Sequence, residues 1–125
     1  MLSGSAVVAF IGVSDLGKAR EFYGHALGLD LRDESPFALV SEVNGTMLRI
    51  TAVEEPVAAP YTVAGWKVTD IELSVARLTD RGVRFSRYDG MDQDELGVWT
   101  APGGAKVAWF LDPDGNNLSL TQFVE

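Results

Sequence analysis

Side chains able to do covalent or metal chemistry are few in this sequence. The chain of 125 residues has a single histidine, His25, and no cysteine. The absence of cysteine excludes disulfides, thiolate nucleophiles and sulfur-ligated zinc or iron. His25 lies late in a helix-like segment among charged residues, and one histidine without partners makes a poor metal site. We therefore interpret His25 as a surface or helix-end residue.

Acidic residues cluster in DGMDQDE, residues 89 to 95. This stretch lacks the spacing of a calcium loop, which has Asp or Asn at alternate positions, then a glycine and a more distant glutamate. We interpret it as a solvated loop. The segment DPDGN, residues 112 to 116, is interpreted as a turn in which Asp112 and Asn116 bond to the local backbone.

Two cations and three tryptophans are the remaining candidates for ligand contacts. Arg49 and Lys67 each lie in an apolar, strand-like segment, where a cation needs a carboxylate partner or a ligand. Trp66, Trp99 and Trp109 either fill the core or stack on an aromatic ligand. The strands that carry these residues decide between the two roles.

The elements that position these side chains occur twice along the chain. VSDL at residues 13 to 16 recurs as VTDI at 68 to 71, and GTMLRIT at 45 to 51 matches GNNLSLT at 115 to 121. A repeat of one supersecondary unit is the simplest interpretation. The chain therefore divides into two similar halves.

Within each half the predicted order of elements is β-α-β-β-β. The helices LGKAREFYGHAL and IELSVARLTDR follow an N-cap, Ser14 or Asp15 in the first half and Asp70 in the second, and end before Gly28 and Gly82. Apolar alternation predicts the strands FALVSEV, TMLRITA, VRFSRY, GVWTA, KVAWFL and NLSLTQF. TAVEEPVAAPYT, residues 51 to 62, is interpreted as the linker between the halves.

VSDLGKAREFYGHALGL near the start and FLDPDGNNLSL near the end resemble the vicinal oxygen chelate superfamily, which includes glyoxalase I, extradiol dioxygenases and bleomycin-resistance proteins. The resemblance covers nearly the whole chain. It implies an α+β fold, in which two β-α-β-β-β modules, about residues 1 to 53 and 62 to 125, form a curved mixed-sheet cup within a single glyoxalase-like domain. It also implies a homodimer, since relatives of this size commonly pair.

Enzymes of that superfamily hold a divalent metal in the cup with His, Gln or Glu. The family's ligand positions, carried over to this chain, fall on Val8, Val63, Arg49 and Ser119. Valine has no donor atom, and arginine is positively charged and has no lone pair to offer. Because all four positions depart from the pattern, we expect no metal and no other cofactor.

Side chains alternate between the two faces of a strand, so residues two or four positions away from these four also face the cup. On the strands with Val8 and Val63, Phe10 and Lys67 also face the cup, whereas Trp66 faces the helices and is expected in the core. On the closing strands, Met47 and Asn117 join Arg49 and Ser119. Trp99 and Trp109 have no anchored register, and we expect one of them to reach the cup.

The leading functional interpretation is a metal-free small-molecule binding protein of the glyoxalase and bleomycin-resistance type. It would sequester an aromatic or anionic ligand, with antibiotic resistance as one role, and Arg49 would bind a ligand oxygen. The expected ligand-binding residues are Phe10, Met47, Arg49, Lys67, Trp99, Trp109 and Ser119.

Three alternatives remain open. In the first, Arg49 pairs with an internal acid, for which Glu42 is a candidate, and Lys67 extends to the rim of the cup. In the second, the chain is an enzyme. It is then either a glyoxalase-like lyase or dioxygenase, or a metal-independent isomerase or hydrolase that uses Arg49 as electrophile and Glu42 or Asp89 as base. Finally, the chain is a degenerate copy that serves only as a dimerisation or regulatory partner.

The composition limits the partners. Eighteen acids against ten bases give a net charge of -8, which repels nucleic acid and anionic membranes, so neither is an expected partner. No apolar run approaches the length of a membrane span. The first residues lack the basic region of a signal peptide, which makes a cytoplasmic location the expectation.

Overall fold

The repeat inferred from the sequence is present in the structure. The computed structural model describes residues 1 to 125. They divide into two compact units, Met1–Val57 and Ala58–Glu125, and the boundary falls within the segment interpreted as a linker. Each unit contains one mixed four-stranded sheet and has the order β-α-β-β-β, which confirms the α+β class.

The first unit begins with a 3-10 turn and continues with one helical segment and four strands. Their bounds are Leu2–Gly4 for the turn, β1 Val8–Val13, α1 Leu16–Ala19, a π-helix Arg20–Ala26, β2 Arg32–Ser35, β3 Ala38–Val43 and β4 Thr46–Ala52. The strand order is β1-β4-β3-β2. β1 runs parallel to β4, whereas the other two pairs are antiparallel.

The predicted first helix is helical throughout, but its second part is wider than an α-helix. The side chain of Asp15 caps it by accepting a hydrogen bond from the backbone of Lys18. From Arg20 onward the backbone is π-helical, and Leu27 N–H donates to Phe22 O, five residues earlier. Gly28 then ends the helix at φ +78°, in the left-handed region that glycine adopts readily.

The second unit has one helix and four strands. Their bounds are β5 Ala64–Lys67, α2 Ile71–Asp80, β6 Trp99–Thr100, β7 Lys106–Leu111 and β8 Asn117–Gln122, in the sheet order β5-β8-β7-β6. The helix is capped by Asp70, which accepts from the backbone of Leu73. Gln122 on β8 accepts from the backbone of Ile71, and this hydrogen bond fixes the start of the helix against the sheet.

The prediction of a strand at VRFSRY is wrong. Its only bridge joins Phe85 to Phe110, and its only ladder hydrogen bond runs from Ser86 N–H to Trp109 O. The backbone groups of Ser86 and Tyr88 are instead bound by the side chain of Gln93, so they no longer need a neighbouring strand. The next predicted strand, GVWTA, is present only as the two-residue strand β6.

Much of the core of the first unit lies on the helix side of its sheet, although Ala38 and Val40 are buried on the opposite face. Ile11 on β1 and Leu48 and Ile50 on β4 are buried, and α1 packs against β4 on that side. Val8 and Phe10 alternate with the buried residues and are exposed. This alternation matches the predicted assignment of the two faces.

The second unit buries its sheet in the same way. Leu118, Leu120 and Phe110 are buried, and the helix α2 packs against the strands that carry them. Trp66 stacks on Phe110, with ring centroids 6.4 Å apart and an interplanar angle of 23°. Trp66 therefore lies on the helix side of the sheet, as predicted, but it is half-buried and only its contact with Phe110 joins it to the core. No helix of the structure has the length and apolar character needed to span a bilayer.

Candidate functional site

The register of the second sheet determines which residues share its open face, the face away from α2. Trp109 on β7 lies opposite Ser119 on β8, and Ser119 lies opposite Gly65 on β5. Trp99 on β6 lies opposite Val107, in the row next to Trp109. Residues directly opposite one another project to the same side of a sheet. Both tryptophans therefore occupy the open face, although only one was expected there.

Three aromatic rings form a cluster on this face, which we call the aromatic platform: Tyr88, Trp99 and Trp109. The centroids of Trp99 and Trp109 are 6.0 Å apart, with the ring planes tilted by 36°. The Tyr88 ring meets Trp109 edge to face, at 5.7 Å and 85°. The two indoles are half-buried and Tyr88 is exposed. The platform is therefore a rigid aromatic surface that keeps contact with solvent.

Polar groups border the platform along β8. Asn117 Nδ2 donates to Tyr88 Oη over 3.2 Å. Thr62 Oγ1 donates to Asn117 Oδ1 over 3.4 Å. Ser119, next to Trp109 in the register, has 7% of its surface exposed. These residues provide hydrogen-bonding groups beside an apolar surface, which is the usual composition of a small-molecule site.

Gln93 holds the loop that carries Tyr88. Its Oε1 accepts from Tyr88 N–H at 2.8 Å, and its Nε2 donates to Ser86 O and Gly97 O, both at 2.9 Å. Asp94 adds two hydrogen bonds to the backbone at Leu96 and Val98. The acidic stretch is thus a loop, as predicted, but an ordered one.

Sequence reasoning missed Tyr88 and Gln93. Tyr88 ends the segment wrongly predicted to be a strand, and Gln93 lies among acids that made the stretch look solvated. One signal was available. Glutamine is the one residue of DGMDQDE whose side chain both donates and accepts, so it alone can bind backbone N–H and C=O groups together.

Lys67 is on the open face but not at the platform. It lies opposite Thr121, in the row that leads through Val107 to Trp99. Three strand spacings separate Lys67 from Trp99, about 14 Å. Lys67 instead lines a cavity of about 550 Å³ together with Thr69, Gly104 and the last residues of the chain. The structure therefore does not bring Lys67 together with the tryptophans.

The open face of the first unit carries the remaining predicted residues. Phe10 lies opposite Arg49, and Val8 lies opposite Met47. Phe10 has 65% of its surface exposed. Arg49 Nη1 forms an ion pair with Glu34 Oε2 at 2.8 Å.

The acid that pairs with Arg49 is thus Glu34 on β2, and the expected candidate, Glu42, is wrong. Glu42 lies opposite Met47, which is two residues along β4 from Arg49. Glu34 reaches the guanidinium from β2, the outer strand of the sheet. Arg49 therefore already has the carboxylate partner that a cation on an apolar face requires.

The family of the chain follows from a direct match. A family model described as the Glyoxalase/Bleomycin resistance protein/Dioxygenase superfamily matches residues 5 to 120. The chain belongs to this superfamily. The resemblance of its two terminal segments to that group is therefore confirmed. None of the curated proteins matches the chain.

Several solved structures share the fold of the chain. A glyoxalase family protein from Enterococcus faecalis is 22% identical, with a TM-score of 0.74 over 98% of this chain and 100% of that chain. A superfamily member from Sphaerobacter thermophilus is 24% identical, with a TM-score of 0.73 over 98% and 100%. TnmS3, an antibiotic binding protein from a Streptomyces species, is 24% identical, with a TM-score of 0.70 over 99% of both chains. At these identities the likeness shows the fold alone.

The residues of this superfamily member do not fit the divalent metal that enzymes of the group hold. Of the four ligand positions, Val8 and Val63 offer no donor, Arg49 is a cation in an ion pair, and Ser119 is the only residue with an oxygen donor in its side chain. No three His, Cys, Asp or Glu side chains come together as a metal-binding group anywhere in the structure. His25 is exposed in the last turn of the π-helix, in agreement with its interpretation as a helix-end residue.

Proposed function

We propose that this superfamily member binds a flat aromatic small molecule on the aromatic platform and sequesters it without changing it chemically. The observation that carries the proposal is the pairing of Trp99 and Trp109 on the open face of the second sheet. Leaving two indoles partly in water forgoes the free energy that their burial would provide, about 25 cal/mol per Å². A stacked ligand recovers that free energy.

Electrostatics favour a neutral ligand over an anionic one. Arg49 is paired with Glu34, so its charge needs no further partner. Lys67 lies three strands away from Trp99, about 14 Å across the sheet, which is too far to reach a ring stacked on that indole. The net charge of -8 also repels anions at long range. Of the two expected ligand types, we therefore favour the neutral aromatic molecule.

Antibiotic sequestration is the biological role that we propose for this binding. Many antibiotics are flat polycyclic molecules of a size that two indoles can cover. The structural likeness to TnmS3, an antibiotic binding protein, supports the proposal at the level of the fold. Contact of Phe10 and Met47 of the first unit with the ligand stays a prediction, whereas Arg49 is bound to Glu34 and is not part of the proposed site.

The enzymatic alternatives receive less support. A lyase or dioxygenase of this superfamily needs metal donors at positions that here hold valine, arginine and serine. A metal-independent reaction with Arg49 as electrophile needs a guanidinium available to substrate, and Arg49 is bound to Glu34. Sequestration requires only the platform and its polar border.

We also propose that the protein acts in the cytoplasm as a homodimer, with a small molecule and not a nucleic acid as its partner. The dimer would have about twice the chain mass of 13.5 kDa. Size-exclusion chromatography with light scattering measures this mass directly. A mass equal to one chain at micromolar concentration would refute the dimer and leave the platform unaffected.

Isothermal titration calorimetry with neutral polycyclic aromatic compounds tests the binding proposal. Trp109→Ala should weaken binding about fivefold or more, because stacking on an aromatic side chain contributes about 1 to 3 kcal/mol. Trp66→Phe is the matched control, since Trp66 lies on the core side and packs on Phe110. Equal affinity in the wild type and in Trp109→Ala would contradict the proposal.

A further inference from the structure

The Tyr88 hydroxyl occupies a defined place at the border of the aromatic platform. The Tyr88 ring stands edge-on to Trp109, and its Oη lies 3.2 Å from Asn117 Nδ2. Asn117 belongs to the same open face as Ser119, two residues along β8. Tyr88 has 37% of its surface exposed and its ring contacts Trp109, so the residue borders the platform and is open to solvent.

In the structure, the amide of Asn117 lies between two hydroxyl groups and turns its nitrogen toward Tyr88. Thr62 Oγ1 donates to Asn117 Oδ1 over 3.4 Å, on the side of the amide away from Tyr88. Asn117 Nδ2 then donates to Tyr88 Oη. A phenol has one proton, and here the oxygen already acts as an acceptor. No residue of the chain accepts the Tyr88 proton, so the O–H group is left to donate away from Asn117.

This donor is held in place before any ligand arrives. Gln93 binds the backbone N–H of Tyr88, and Met91 N–H donates to Tyr88 O. The packing of the ring on Trp109 restricts its rotation. A group fixed in this way loses little conformational entropy when it binds a ligand.

We propose that the Tyr88 O–H donates a hydrogen bond to an acceptor oxygen on the bound molecule, so that the site selects carbonyl-bearing aromatic compounds such as aryl ketones and quinones. The inference rests on the proposed function, because it assumes that a ring stacks on the platform. It adds a specificity-determining residue and the chemical group that this residue recognises. Thr62 and Asn117 act as positioning residues.

Two probes of nearly the same shape test the proposal by isothermal titration calorimetry. They are 2-acetylnaphthalene and 2-isopropenylnaphthalene, in which a CH₂ group replaces the carbonyl oxygen. The wild type should bind the ketone about threefold to tenfold more tightly, the effect of one hydrogen bond. Tyr88→Phe keeps the ring and removes the hydroxyl, so it should bind both probes with equal affinity.

One further variant tests whether the direction in which the Tyr88 hydroxyl donates, and not only its presence, determines the preference for the ketone, and a second variant is its control. Asn117→Asp replaces the amide donor with a carboxylate, which should accept the Tyr88 proton and reduce the preference for the ketone although the hydroxyl remains. Tyr61→Phe is the matched control, since it removes the hydroxyl of an exposed tyrosine and should leave the preference unchanged.

The outcomes distinguish the inference from the function on which it rests. A preference for the ketone that survives Tyr88→Phe, or equal binding of the two probes by the wild type, overturns the role of Tyr88 and leaves aromatic binding intact. Failure of the wild type to bind either probe contradicts the proposed function itself, and with it the role of Tyr88.

Discussion

Gly65 lies directly opposite Ser119 across the parallel strands β5 and β8, and a Cβ added at Gly65 would lie 2.5 Å from Ser119 Oγ. Such a contact is far shorter than van der Waals distance. The absence of a side chain at Gly65 is therefore a condition for the position of Ser119. This pair joins the edge strand of the second sheet to the row that contains Trp109.

Gly65→Ala should destabilise the protein by about 1 to 3 kcal/mol, because the added methyl group must displace Ser119 or separate the two strands. Urea denaturation measures the free energy of unfolding. Gly103→Ala is the matched control, since a Cβ there has no neighbour within 4 Å. If the two variants were equally stable, the packing of Ser119 on Gly65 would be ruled out.

Gln93→Glu tests the role of Gln93 in holding the loop. The new carboxylate keeps the shape of the side chain but faces Ser86 O and Gly97 O without a proton to donate. We expect the free energy of unfolding to fall by about 2 kcal/mol or more, because two hydrogen bonds are lost and a carboxylate oxygen then faces two carbonyl oxygens. The tryptophan signal in near-ultraviolet circular dichroism should also weaken as Trp99 loses its fixed position.

Asp92→Asn is the control for that experiment, because it alters one charge at an exposed position of the same loop. It should change neither stability nor the dichroism signal appreciably. A Gln93→Glu protein with the stability and near-ultraviolet spectrum of the wild type would show that the loop does not depend on Gln93.

The ion pair of Arg49 with Glu34 should contribute little to stability and little to the binding of a neutral ligand. Both side chains are partly exposed, so solvent screens their attraction, and a double-mutant cycle with Arg49→Met and Glu34→Gln should give a coupling below about 1 kcal/mol. Ligand affinity in Arg49→Met should stay within about twofold of the wild type. A loss of tenfold or more would instead support direct contact between the guanidinium and the ligand.

Strand alternation was sufficient to predict the faces of the long strands. Leu118 and Leu120 alternate with Ser119, and Ile11 alternates with Phe10, so the core side could be read from residue types alone. Trp66 was assigned to the core on the same basis. These predictions succeed because the residues of these strands that face the helices are apolar and buried, whereas the alternate residues are polar or exposed.

Short and fully exposed strands gave no such signal. β2, with the sequence RDES, is exposed along its whole length, so alternation does not reveal that Glu34 reaches Arg49. β6 has two residues, too few to set a register for Trp99. The π-helical turn was also not predictable, because a hydrogen bond to the fifth preceding residue leaves no distinct spacing of apolar residues.

The position of Tyr88 depends on contacts that are distant in sequence. Its hydroxyl meets Asn117, 29 residues further along the chain, and its backbone meets Gln93. Neither contact follows from the period of a strand or helix. The candidate site was therefore predicted in part, as the tryptophans and Ser119, but the residue that we propose to determine specificity emerged only from the structure.

A thermal-shift screen is the most direct test of the central claim that the platform binds an aromatic molecule without a metal. The screen compares neutral polycyclic aromatic compounds with Ni²⁺, Zn²⁺, Mn²⁺ and Fe²⁺, because any ligand of the native state raises the melting temperature. We predict a saturable rise with aromatic compounds, lost in Trp109→Ala, and none with the metals. A saturable rise with one metal and no response to any aromatic compound would contradict the account.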